Sequence, residues 1–387
     1  MKKITNFNDY TQKEIDGQPD LWEATFHLYK NLSHQVDEFL KNILQQENIQ
    51  IVLTGAGSSA FVGEAAQGLV QQYTKCNTKA IATTDLVTHH QMCLQQKTPI
   101  LLVSFARSGN SPESVEAVKL ADEYCDKVYH LIITCNKEGK LFNYSKNNKS
   151  RSFAFLLPEE ANDKSLAMTG SFTSMLLSIL LIFKEATIKE KKKNTEILIS
   201  QGKKILVHKE DFKDLAELQA ERVVFLGSGP MLGIARECHL KLQELTDGKI
   251  ICKHDSFLGF RHGPRAVINE DTLIVYLFAS NAHVFKYERD LAISIAQDKR
   301  RIRTISLGKT AREFNSIFSL DLDLSNQDEF HIVSATLIGQ LLGYYTSMRM
   351  GLNPDNPSVS GAISRVVEGV HIYERSKTKE SDLEYLP

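Results

Sequence analysis

The sequence predicts an α/β fold of two tandem copies of one doubly wound module, each a mostly parallel sheet flanked by helices, behind an N-terminal helical segment. Three observations carry this expectation. Short Val/Ile/Leu runs alternate with helical patterns, as parallel strands buried on both faces require. The runs recur, with Ile51-Val52-Leu53-Thr54-Gly55-Ala56-Gly57 matching Val223-Val224-Phe225-Leu226-Gly227-Ser228-Gly229 at an offset of 172 residues. Pro99 to Val103 then aligns with Thr272 to Tyr276 at 173, and Ile132-Ile133-Thr134 with Thr304-Ile305-Ser306 at 172, so three strands repeat at nearly one spacing. Finally, 387 residues are too many for one ordinary domain and suit two.

Taken in order, residues 1–47 form the N-terminal helical segment, because Leu21, Phe26, Leu28, Leu32, Val36, Phe39, Leu40 and Ile43 follow helical spacing. The first module occupies 48–200. Its strands are Ile51–Thr54, Ile100–Ser104, Leu131–Thr134 and Phe153–Leu156, with helices at Ser59–Gln72, after Ser111, and at Thr169–Lys184. The basic stretch Lys184–Lys204 reads as a largely helical connection. The second module occupies 201–350, and the tail 351–387 begins where Gly351 and Asn353-Pro354-Asp355-Asn356-Pro357 break the last helix, which sends it over the surface or into a cleft.

Composition narrows the function. With 42% hydrophobic residues, 24% charged residues and a net charge of −1, the chain lacks the basic excess that nucleic acid or an anionic membrane demands. A phosphorylated small molecule remains compatible, since helix N-termini bind phosphate without Lys or Arg. The N-terminus has no apolar signal core, and the longest greasy stretch, Met175–Phe183, is too short to span a bilayer. Six scattered cysteines with no C-x-x-C pair suggest free thiols in a reducing, cytoplasmic setting. His89-His90 and Cys252-Lys253-His254-Asp255 match no metal signature and read as a loop pair and a strand end, so no metal is expected.

Two crossover loops carry the chemistry. Gly55-Ala56-Gly57-Ser58-Ser59 joins a strand to a helix, but lacks the G-x-G-x-x-G spacing of dinucleotide sites. Ser104-Phe105-Ala106-Arg107-Ser108-Gly109-Asn110-Ser111-Pro112-Glu113 is more telling. Ser111 suits an N-cap with Pro112 at the first helical position. Capping does not explain Arg107, Ser108, Gly109 and Asn110 gathered at the carboxyl end of a parallel strand, where such sheets bind ligands, so a phosphate cradle is the better reading. Further on, Lys241 and Glu244 share one helix face, three residues apart. A carboxylate there can shuttle a proton, and His262 in Phe260-Arg261-His262-Gly263-Pro264 can act as acid or base near neutrality.

These motifs resemble the sugar-isomerase (SIS) modules paired in glucosamine-6-phosphate synthase and related ketose/aldose isomerases, over about Asn48 to Ile372. Together with Leu166-Ala167-Met168-Thr169-Gly170-Ser171-Phe172-Thr173 and Asn353-Pro354-Asp355-Asn356-Pro357, they look most like the galactosamine-6-phosphate deaminase/isomerase branch, often labelled tagatose-6-phosphate ketose/aldose isomerase. The resemblance implies Glu244 as proton carrier, His262 as ring opener and Lys241 as an active-site lysine. It places Gly57, Ser58, Ser59, Ser108, Ser111 and Arg107 around the phosphorylated sugar, with Thr169 and Ser171 bordering it. It also implies a homodimer or higher oligomer in which His262 enters the neighbouring site, and chemistry that needs no cofactor. The sequence departs from the synthase at Ala106 and Arg107, and puts Ala362 where the synthase has a tail lysine. That lysine is either absent or replaced by Arg365. Simple aldose/ketose isomerisation uses the same residues, and a sugar-phosphate sensor is the rival from another class, though no helix-turn-helix segment accompanies the modules.

Overall fold

A computed structural model describes residues 8–324, 329–367 and 369–373. Helices α1 (Tyr10–Asp16) and α2 (Gln18–Leu44) come first. The first module follows as β1 (Gln50–Thr54), α3 (Ser58–Thr74), β2 (Asn77–Ala80), α4 (Thr83–Cys93), β3 (Ile100–Ala106), α5 (Pro112–Tyr124), β4 (Val128–Thr134), α6 (Lys140–Asn147), β5 (Ser152–Leu156) and α7 (Gly170–Phe183). Helices α8 (Ile188–Val207) and α9 (Lys209–Ala216) lead to the second half. It contains β6 (Arg222–Gly227), α10 (Pro230–Leu245), β7 (Ile251–Asp255), α11 (Phe257–Phe260), β8 (Thr272–Leu277), α12 (Ala282–Ala296), β9 (Arg303–Gly308), β10 (Phe318–Asp321) and α13 (His331–Arg349).

Both sheets are parallel and share one order. The first runs β2-β1-β3-β4-β5 and the second, read from the other edge, β7-β6-β8-β9-β10. The repeat is therefore structural, but two of the three sequence alignments slip. Leu53 pairs with Val103 and Phe225 with Val275, so Ile100 and not Pro99 corresponds to Thr272. Val103 pairs with Leu131 and Val275 with Ile305, so Leu131 and not Ile133 corresponds to Ile305. Apolar runs buried on both faces have no alternation to mark register, which is why only the ladder resolves it.

Each strand splits its side chains between two cores. Ile51 and Leu53 join a large cluster with Val223 and Phe225, which the two halves share and which α2, α7, α8, α10 and α13 fill. Val52 and Leu102 face outward beneath α4 and α5, and Val224 and Ile274 beneath α11 and α12. Every residue of α7 is buried, as a helix with no charged residue and apolar side chains all round predicts. Among the described residues no helix is long and apolar enough to cross a membrane, and all six cysteines are free thiols.

Two local readings change. Among the described residues the helical segment begins at Tyr10, where α1 buries only Thr11 and Ile15 and so shows no apolar stripe in sequence. His89 and His90 lie in α4, not a loop, with a break in helical geometry at His89 (φ −140°, ψ 45°), while Cys252–Asp255 falls on β7 as a strand.

Candidate active site

The two Gly-x-Gly turns have the same geometry for the same reason. A Cβ on Gly55 or Gly227 would lie within 2.6 Å of the backbone of the helix that follows. Gly57 and Gly229 both take φ +56° to cap α3 and α10, a conformation cheap only for glycine. These turns start α3 and α10, which cross so closely that a Cβ on Gly233 would lie 2.5 Å from the Ala65 amide nitrogen. The ion pair of Arg236 with Glu64 spans the same seam.

Along that seam lies a polar chain. Lys241 is 1% exposed and its Nζ donates to Ser58 Oγ at 3.0 Å and to Glu244 Oε2 at 2.6 Å. Ser58 in turn donates to Glu237 Oε1 at 3.1 Å, which lies 3.4 Å from Nζ. Burial opposes the charge on Lys241, but Glu237 and Glu244 outweigh it and hold the ammonium above its ordinary value. Glu237 is fully buried, and desolvation, aided by the like charge of Glu244, raises it to about 7 despite Lys241 and Ser58. Glu237 went unassigned in the sequence. Its signal was there, since Glu237, Lys241 and Glu244 at i, i+4 and i+7 share one helix face.

Ser58, Lys241 and Glu244 open into a cavity of about 320 Å³ between the two halves. It is lined by Gly57, Ser58 and Ser59, by Arg107, Ser108 and Ser111, by Lys241 and Glu244, and by tail residues from Ala362 to Val367 including Arg365. Ser111 caps α5, accepting from the Ser114 N–H at 3.3 Å, with Pro112 opening the helix as expected. The Ser108 carbonyl accepts from Asn136 Nδ2 at 2.8 Å, so the loop after β4 holds the crossover in place.

Other expected site residues sit differently. Arg107 is buried, and its guanidinium donates to the carbonyls of Leu166 (3.2 Å), Ser165 (3.4 Å) and Arg365 (2.5 Å). A phosphate contact by Arg107 therefore competes with backbone partners it already has. Desolvation lowers its pKa, with Asp163 opposing. Arg365 lines the cavity, yet its guanidinium is bound to the Asp163 carbonyl and to Asn162 Oδ1 (2.9 Å). Ala362 lines the same cavity, so no basic side chain stands at the tail-lysine position itself.

Thr169 and Ser171 do not reach the cavity. Both are fully buried, and both hydroxyls donate to the carboxylate of Asp163, which also takes the amides of Thr169, Gly170 and Ser171 at the start of α7. They are helix-terminus groups here, tied by a residue eight positions or fewer away. His262 is exposed in a turn after α11 and does not line the cavity of its own chain.

Comparison with known proteins agrees with this architecture. The SIS domain family matches residues 43–184. The chain is 37% identical over 372 residues to D-galactosamine-6-phosphate deaminase AgaS of Escherichia coli, covering 94% of this chain and 95% of the relative. The crystal structure of tagatose-6-phosphate ketose/aldose isomerase from Escherichia coli superposes with a TM-score of 0.87 at 34% identity, covering 95% and 97% of the two chains. The C-terminal domain of glucosamine-fructose-6-phosphate aminotransferase from Francisella tularensis shares the fold (TM-score 0.75, 19% identity, 91% and 99% coverage). By its end-to-end identity with these relatives, its paired sheets and its seam cavity, the chain belongs to the AgaS family of SIS-domain proteins.

Proposed function

We propose that the protein converts galactosamine 6-phosphate to tagatose 6-phosphate and ammonium. The observation that carries this reading is the convergence, in one cavity, of a serine-rich strand-to-helix crossover and the Lys241–Glu244 pair. The crossover offers hydroxyls and amides to a phosphate at the carboxyl end of a parallel sheet. Glu244 offers a carboxylate to the carbons beyond it.

In the open-chain sugar, Glu244 takes the proton from C2, the C2–H electrons form the C1–C2 double bond and the C1 carbonyl electrons move onto O1, giving an enaminolate. Glu244 returns the proton to C1 and an N–H proton passes to O1, which leaves a primary alcohol at C1 and an imine at C2. Water adds to the imine, the C–N bond breaks, and the products are a ketone and ammonia, which takes up a proton. No electrons leave the sugar. Lys241, held as an ammonium by two carboxylates, supports the reading as a fixed positive charge beside the developing enolate oxygen. Simple aldose/ketose isomerisation requires the same groups without the C–N cleavage, and similarity to the Escherichia coli ketose/aldose isomerase favours keeping it as the second reading.

Ammonium release from galactosamine 6-phosphate and glucosamine 6-phosphate is the direct test. Glu244→Gln keeps shape and removes the base, and is expected to lower kcat by about 10²–10⁴. Aldose–ketose exchange without ammonium selects the isomerase reading, and binding with neither reaction selects a sensor. His262 is exposed and outside its own cavity, and on the family resemblance we assign it to the cavity of a second copy in a homodimer. Mixing inactive His262→Ala and Glu244→Gln chains should then restore activity in heterodimers, and verified heterodimers without activity would sink that assignment.

A further inference from the structure

The cavity wall and its tail cover are held from behind by the N-terminal helix, to which the sequence assigns no function. On α1, Thr11 and Glu14 lie three residues apart and share a face. Glu14 accepts the amide hydrogens of Lys164 (2.5 Å) and Ser165 (3.3 Å) on Oε1 and the Ser165 hydroxyl on Oε2. Thr11 donates its amide (2.8 Å) and hydroxyl (2.9 Å) to Asp355 Oδ1. The two anchored segments meet where the Leu166 amide donates to the Asp355 carbonyl at 3.0 Å.

From there the chain of hydrogen bonds runs into the cavity. The carbonyls of Ser165 and Leu166, just beyond Glu14's grip, receive Arg107, and Arg107 reaches on to the carbonyl of Arg365 in the tail. Leu166 and Arg365 both line the cavity. Local backbone does not account for Glu14, because all three of its donors are 150 or 151 residues away.

We infer that Glu14 is a positioning residue for ligand binding: through the 163–166 loop and Arg107, it sets the wall and the tail that close the sugar-phosphate cavity. The inference rests on the phosphosugar reading of that cavity. Without the carboxylate the loop amides lose their acceptor, the two carbonyls drift from Arg107, and the tail loses one of its anchors. Binding must then restore that order and weakens accordingly.

The test uses the full-length protein and a hexitol 6-phosphate, an open-chain sugar phosphate that cannot isomerise. Glu14→Ala is expected to raise its Kd roughly tenfold or more, and to speed tryptic cleavage after Arg365. Glu14→Gln should return most of the affinity. Its amide oxygen still accepts from Lys164, and its NH₂ can donate to Ser165 Oγ, whose hydroxyl also reaches the Ala167 carbonyl at 3.2 Å. Should Glu14→Ala fold poorly, Ser165→Ala removes one bond of the same bracket and is expected to weaken binding in the same direction. Wild-type Kd in both alanine variants overturns the inference whatever their Tm, as does a Glu14→Gln variant no better than Glu14→Ala. Weakened binding in Glu14→Ala, with no ammonium or ketose from wild type, overturns the deaminase reading and leaves the bracket standing.

Discussion

Ser111 shows how one side chain serves fold and site together. Its hydroxyl caps α5 and also lines the cavity beside Ser108. Losing an N-cap costs about 1 kcal/mol, while hydrogen bonds to a charged phosphate are worth roughly 1.5–3 kcal/mol each. The double variant Ser108→Ala/Ser111→Ala is therefore expected to lose at least about a hundredfold in kcat/KM, mostly through KM, with a Tm only slightly lowered. An unchanged KM for the phosphorylated sugar would remove both serines from the phosphate site. The sequence alone places these serines on one crossover, because cap, proline and glycine all act within a few residues. It does not show that the hydroxyls of Thr169 and Ser171 are engaged by Asp163 six and eight residues back. Nothing in their own pattern marks that carboxylate as their partner.

At the scale of elements, the candidate site is built on a helix crossing. α3 brings Ser58 and α10 brings Glu237, Lys241 and Glu244, and the two approach over Gly233 and Ala65. Gly233→Ala would place a methyl 2.5 Å from the Ala65 amide nitrogen, against backbone that cannot rotate aside. Overpacking of this kind costs about 1–3 kcal/mol, and the helices must part to relieve it. The 3.0 Å bond from Lys241 to Ser58 would lengthen with them. A fall in kcat greater than the loss of stability explains, measured well below Tm, is the expected result. Wild-type kcat in a correctly folded Gly233→Ala variant would show that the crossing distance does not matter to chemistry. The helix pattern of α10 was legible in sequence, as was the Lys241–Glu244 face. Its closeness to α3 was not, because it depends on the absence of a side chain at one position meeting a small residue 168 positions away.

At the scale of the whole molecule, the two halves share a fold but differ at their crevices. In the second half the Ala279 amide, just after β8, donates at 2.9 Å to Glu288, a carboxylate buried completely beside Ser228. Burial raises Glu288 to about 7, against the Ala279 and Ser228 hydrogen bonds and Lys309. A carboxyl whose folded pKa is raised contributes stability that is present below its ordinary pKa of 4.5 and lost as pH rises through about 7. Glu288→Gln has no charge to bury, so its stability relative to wild type should improve between pH 5 and pH 8, by roughly 3 kcal/mol at most. Parallel Tm-versus-pH curves for the two proteins would show that Glu288 does not titrate in this range.

By itself the sequence determined the strands β1, β3, β4, β5, β6, β8 and β9, the paired Gly-x-Gly turns, the capped crossover and the Lys241–Glu244 face, since each depends on spacing within a helix turn, a strand or a loop. Tertiary structure decided the rest. Ser58 meets Glu237 across 179 positions, Arg107 meets the tail across 258, and Thr11 meets Asp355 across 344. Such pairs leave no period in the chain, because their separation is set by how layers pack and not by how the backbone repeats. The same limit explains the strand registers that slipped.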